Sequence, residues 1–166
     1  NAGTWEAFYQ GKVDEVHVYD RALSAAEVQA IRTAGGTVDG DVPCNPDYLI
    51  GAIHWANATV GPDTLDLESG CTYTLTDVNH ETEGPNGLPS VTSEIAVNGN
   101  GAVVERDAGA PYFRIWHVAA GGTLGLNDVT VVQGATGDWD STFEGGGIWN
   151  AGTLAVIGST IHGNDA

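Results

Sequence analysis

Methionine is absent from this chain, lysine and arginine together number five, and there are only two cysteines. Against those few cations stand 22 aspartates and glutamates, for a formal charge of -17. Such a balance excludes nucleic acid and anionic membrane as partners, because both are recognised by basic patches. No apolar run approaches the length of a bilayer span, which argues against membrane insertion. No signal peptide is visible, and the chain opens on Asn1 rather than methionine, the expectation being that it is processed or excised. The five histidines (His17, His54, His80, His117, His162) are scattered without ligand spacing and no Cys-x-x-Cys occurs, so neither a metal site nor a cofactor is expected.

What the chain has in quantity is glycine, 24 residues of it. Many tight turns between short strands fit that content better than a helical bundle does. The strands announce themselves by repetition. Aliphatic pairs two residues apart recur as Leu65/Leu67, Ile95/Val97, Leu124/Leu126 and Leu154/Val156, at steps of about 30 residues. Between the last two copies the match extends further: Gly122, Thr123 and Leu124 lie over Gly152, Thr153 and Leu154, Val131 over Ile161, and Gly134 over Asn164. The final copy divides into three short strand-like runs, 145–150, 152–156 and 159–163, with glycine and asparagine between them. Three strands per turn with such corners predict an all-β chain, a right-handed parallel β-helix.

Around this solenoid the sequence predicts three further segments. Asn45 as N-cap and Pro46 at the first position open a helix running to about Asn57, its face lined by Leu49, Ile50, Ile53 and Ala56. A solenoid end exposes its apolar cross-section, so this helix is expected to cap the stack. Residues 37–43 read as an acidic linker, dividing 44–166, the β-helix, from 1–36, which do not share the repeat. In that first segment Val13, Val16 and Val18 suggest a strand, and Ser24 with Glu27 forms a capping box for a short helix that ends at Gly35 and Gly36. The polar, proline-bearing run Asp77–Pro89 is expected to bulge out of the stack.

Phe8–Val28 carries Gly11, the run Asp14, Glu15, Val16, then Arg21, Ala22, Leu23, Ser24 and finally Glu27. This resembles the closing strand and helix of laminin-G-like, concanavalin-type jelly-roll domains, of which only the C-terminal remnant is here. Cys44–Ala166 resembles the pectin-lyase-like β-helix proteins of bacterial surfaces, including polymorphic outer membrane proteins. That likeness is carried by Ala52–Asn57, Gly70–Leu75, Asn98–Ala102 and Gly145–Leu154. It implies fold far more than activity, since the superfamily spans lyases, hydrolases, adhesins and inert stalks.

Polysaccharide lyases of this fold abstract a proton with arginine or lysine, and Arg106 and Arg114 are the cations available in the solenoid. Arg106, between Glu105 and Asp107, reads as a solvated corner, and Arg114 as an outward charge on an alternating strand. Asp138, Asp140 and Glu144 fall in an acidic Gly/Thr/Ser-rich insertion, 135–147, and could serve as a carboxylate pair, though a solvated loop explains them more simply. No catalytic residue is assigned. Trp139, Phe143 and Trp149 form the candidate ligand-binding set, a stacking platform for sugar rings. Cys44 and Cys71 are expected to form a structural disulfide, contributing roughly 3 kcal/mol and implying an oxidising compartment. Asn57 begins a glycosylation sequon with Thr59, with occupancy not expected. Asn98, Asn100, Asn127, Asn150 and Asn164 are assigned to corners and ladders of the fold.

The functional expectation is a non-catalytic β-helix structural protein or adhesin, secreted or at the cell surface, self-assembling head to tail through an open C-terminal rung. The alternatives are a fragment of a carbohydrate-active enzyme, lyase or hydrolase, and a glycan-binding module that takes a polysaccharide.

Overall fold

A computed structural model describes residues 40–137 and 144–166. The strand and helix expected within residues 1–36, like Trp139 and Phe143, lie outside the described residues. The rest is a right-handed parallel β-helix. Its strands are β1 (Gly40–Val42), β2 (Pro62–Leu67), β3 (Thr72–Leu75), β4 (Glu94–Arg106), β5 (Trp116–Val118), β6 (Thr123–Val132), β7 (Ile148–Asn150), β8 (Thr153–Ile157) and β9 (Thr160–His162), and its helix is α1 (Pro46–Ala56). The main sheet runs β1-β2-β4-β6-β8, with β3 on β4 and β9 on β6, and β5 pairs separately with β7. Every one of these strand pairings is parallel.

Alternation explains the inside. In β4 and β6 every second residue is buried, with the phase interrupted once at the corner between two faces. Ile95, Leu124 and Leu154 align in one column, Val97, Leu126 and Val156 in the next. On the second face Tyr73, Val104, Val131 and Ile161 align likewise. These columns are the stacked apolar interior predicted by the repeat, and burying them is the main stabilising term.

The first rung departs from the repeat. Leu65 pairs with Val97, and the position opposite Ile95 is taken by Asp63. The shift is by two residues, so the inward face is preserved. A carboxylate turned inward needs a partner, and the Thr59 hydroxyl donates to Asp63 Oδ2 at 2.6 Å. Part of the irregularity lies in the corners: between Asn98 and Ala102, β4 spends three residues where β6 spends one, Asp128. Asn100 and Asp128 both take left-handed φ near 51° there, a conformation Asn and Asp tolerate.

Asparagines work along the outside. Asn98 donates to Asp66 at 2.8 Å and Asn127 to Asn98 at 3.3 Å, an amide ladder across three rungs. Asn164 accepts from the Gly134 amide and Asn150 from the Gly152 amide. Gly122 and Gly152 sit at the same corner of successive turns, where a Cβ would overlap the backbone carbonyl of the preceding turn. That close approach accounts for the Gly-Thr-Leu recurrence.

Helix α1 starts as expected: Asn45 Oδ1 accepts from the Asp47 amide at 2.8 Å. Leu49, Ala52, Ile53, Trp55 and Ala56 are buried, joining the hydrophobic core. Cys44 and Cys71 form a disulfide, tying the chain just before α1 to the start of β3. Two sequence expectations are corrected here. Gly40–Val42, placed in a linker, is a strand paired with β2. The run 77–89 does not simply bulge out: Asn86, Gly87, Leu88 and Pro89 are buried, and Asn86 and Val91 bridge to Arg114 and Val118 of the next turn.

Candidate functional site

The site lies where that run folds back. Its N-terminal half is a tight arm: Asn79 N–H donates to Asn86 O at 2.7 Å and Asn86 N–H returns to His80 O at 2.9 Å. Glu83 and Gly84 turn the arm with φ of 54° and 115°. The arm is stitched to the following turn, with Arg114 N–H donating to Pro85 O and Gly87 N–H to Arg114 O.

Beneath it, three equivalent positions stack. Val91 pairs with Val118, which places Ser90 beside His117, and His117 pairs with Trp149 of β7. The His117 ring is stacked on Trp149, centroids 4.8 Å apart and planes 7° from parallel. His117 is fully buried, and His80 from the arm meets it edge-on at 5.5 Å.

The polar atoms form one directed chain. The Thr82 backbone amide donates to His80 Nδ1 at 3.2 Å, so the neutral His80 carries its proton on Nε2. That Nε2–H points at Ser90 Oγ, 3.2 Å away. The Ser90 hydroxyl then donates to His117 Nδ1 at 2.8 Å. His117 Nε2–H in turn donates to Glu83 Oε2 at 3.0 Å. The Thr82 amide thus sets the His80 tautomer and the Glu83 carboxylate that of His117, leaving a serine, an imidazole and a carboxylate in series. Glu83 is half-exposed, whereas His117 is not. Burial, with His117 nearby adding to it, pushes His80 down to about 4.

Arg114 completes the cluster. The sequence placed it on the surface, but it is fully buried. Its Nη2 donates to the Glu83 carbonyl at 2.9 Å, and its guanidinium lies 5.8 Å from the Trp149 ring centroid. Burial lowers its pKa and Glu83 opposes that shift. Its Nε and Nη1 have no hydrogen-bond partner among the described residues.

Arg106 is corrected in the same way. It is buried, and it donates to the carbonyls of Gln133, Asp107 and Ala110 at 2.9–3.0 Å. This guanidinium closes a turn; it is not a solvated corner. Asn57 spends its side chain inside the fold, accepting from Thr92 N–H and donating through Nδ2 to Ser90 O at 2.7 Å. Of the proposed sugar platform, Trp149 has one face taken by His117, while Trp139, Phe143, Asp138 and Asp140 fall outside the described residues. Glu144 is exposed. The described residues contain no group of three or more His, Cys, Asp or Glu placed to hold a metal ion.

The Ser90–His117–Glu83 series was not visible in the sequence. Its members are 27 and 34 residues apart; strand register sets Ser90 beside His117, and the fold-back of the arm brings in Glu83. No family model, curated protein or solved structure matches the chain.

Proposed function

We propose that this protein is an extracytoplasmic β-helix scaffold, a surface structural element or adhesin that associates through its last rung. One observation carries the reading. The core columns continue into β8 and β9 with less cover: Val156 and Ile161 are 41% and 43% exposed, whereas the Leu126 and Val131 positions one turn earlier are fully buried. Strands β8 and β9 pair on one side with β6, and their other edge is free among the described residues. Covering each of those side chains recovers roughly 1 kcal/mol or more, and a free parallel edge supplies backbone hydrogen bonds to whatever stacks on it. Among the described residues α1 packs against the first strands at the opposite end, and a head-to-tail fibre needs that end as the complementary surface of a heterologous contact.

The disulfide supports an oxidising, extracytoplasmic setting. The likeness of 44–166 to pectin-lyase-like surface proteins, and of 1–36 to a laminin-G-like remnant, points the same way. Electron microscopy of the chain across a concentration series tests the proposal, alongside Val156→Lys. Filaments with a regular subunit repeat, lost in the variant, are the expected result. Monodisperse particles at every concentration would overturn assembly through this rung, and a discrete pair would overturn the fibre in favour of a closed dimer.

A further inference from the structure

Beyond the scaffold reading, and independently of it, we propose that Ser90 is an activated nucleophile that accepts acyl groups from small, neutral esters. His117 is its general base and Glu83 the positioning residue. A serine becomes reactive when a base lies within hydrogen-bond reach and a third group orients that base. Ser90 Oγ is 2.8 Å from His117 Nδ1, and His117 Nε2 is 3.0 Å from Glu83 Oε2. The roles of the two ring nitrogens are exchanged relative to the usual serine hydrolase arrangement, which changes neither the proton count nor the chemistry.

Three further features belong to a built site. Glu83 holds a left-handed φ of 54°, and both its carboxylate and its carbonyl are used, the latter by Arg114; strain kept at one residue by such contacts is characteristic of functional positions. The stack on Trp149 fixes the plane of the His117 ring. His80 donates to Ser90 Oγ, occupying one lone pair and leaving the other for attack. Ser90 is half-buried beneath the arm, which restricts the site to small acyl groups, and the formal charge of -17 disfavours anionic ones.

In the reaction Ser90 Oγ attacks the ester carbonyl carbon while its proton passes to His117 Nδ1. Glu83 stabilises the imidazolium through Nε2–H. The carbon–oxygen bond to the alcohol breaks, and the alcohol leaves with the proton returned from His117. Water then adds to the acyl-serine by the same base, releasing the acid and restoring Ser90.

The test uses the whole chain and an alkyl fluorophosphonate, which bonds to an activated serine with loss of fluoride, the adduct being located by mass spectrometry. An adduct on Ser90 in the folded chain and none in urea is the expected result. The second arm is Glu83→Gln. The amide oxygen still accepts from His117 Nε2–H, so a purely structural pin survives, but the charge is gone. Labelling should slow at least tenfold with the melting temperature unchanged, and turnover of p-nitrophenyl acetate should fall in parallel. A folded chain that takes no label at Ser90, or labels other serines equally fast, overturns the proposal. A Glu83→Gln chain that labels as fast as the parent overturns the role of Glu83.

Discussion

The Tyr73 hydroxyl donates to the Val42 carbonyl at 2.6 Å and accepts from the Glu68 amide at 3.1 Å. Tyr73 is fully buried, and that burial raises its pKa. One phenol therefore ties β1 to the turn after β2 from inside the core. Replacing it with phenylalanine keeps the ring and removes one partner each from the Val42 carbonyl and the Glu68 amide, which still bond to each other at 3.2 Å. Tyr73→Phe should therefore cost about 0.5–1.5 kcal/mol, read as a lower urea midpoint with an unchanged slope.

His80 predicts an acid-sensitive fold. Its folded pKa is depressed from 6.5 to about 4, so between those values the unfolded chain binds the proton and the folded chain does not. Stability from this group is complete above pH 6.5, declines as the pH falls, and has all been lost by about pH 4. The loss amounts to about 3 kcal/mol at most. Urea midpoints measured at pH 7 and pH 4.5 should differ less in His80→Gln than in the parent.

The disulfide anchors the chain next to the capping helix, so its removal should be felt at the N-terminal end first. Cys44→Ser with Cys71→Ser should lower stability by roughly 3 kcal/mol. Hydrogen exchange should show α1 and β3 losing protection before β6, because sub-global openings follow local contacts.

Glycines of the same turn should differ sharply. At Gly122 an added Cβ would strike the Val91 carbonyl, whereas at Gly125 its nearest neighbour is 3.8 Å away. Gly122→Ala should therefore lose more than about 2 kcal/mol, and Gly125→Ala less than about 0.5 kcal/mol. Thermal unfolding of the two variants side by side checks the contrast.

Much of the fold was legible because its determinants are local or periodic. The Asn45–Pro46 start of α1 follows from adjacent residues, the column joining Leu124 to Leu154 from a regular repeat, and the pairing of Cys44 with Cys71 from there being only two cysteines. The register of Leu65 with Val97 was not legible, because corner length varies and a two-residue slip leaves the alternation intact. Arg106 and Arg114 read as surface charges since alternation reports which way a side chain leaves the strand, not what then covers it. Turn carbonyls cover the first and the 77–87 arm the second. The same arm hid the site: His80 and Glu83 reach Ser90 and His117 only through a hairpin whose return path no periodicity describes.

The agreement of Thr123 through Asn127 with Thr153 through Ile157, residue against residue, has a consequence for length. The turn from Gly122 to Gly152 advances the axis by about 4.8 Å and ends at a glycine of the same kind as the one that began it. Duplicating or deleting one such module changes the height of the column by a fixed increment while leaving α1 and the terminal surface untouched. Chain length here acts as a ruler, graduated in turns.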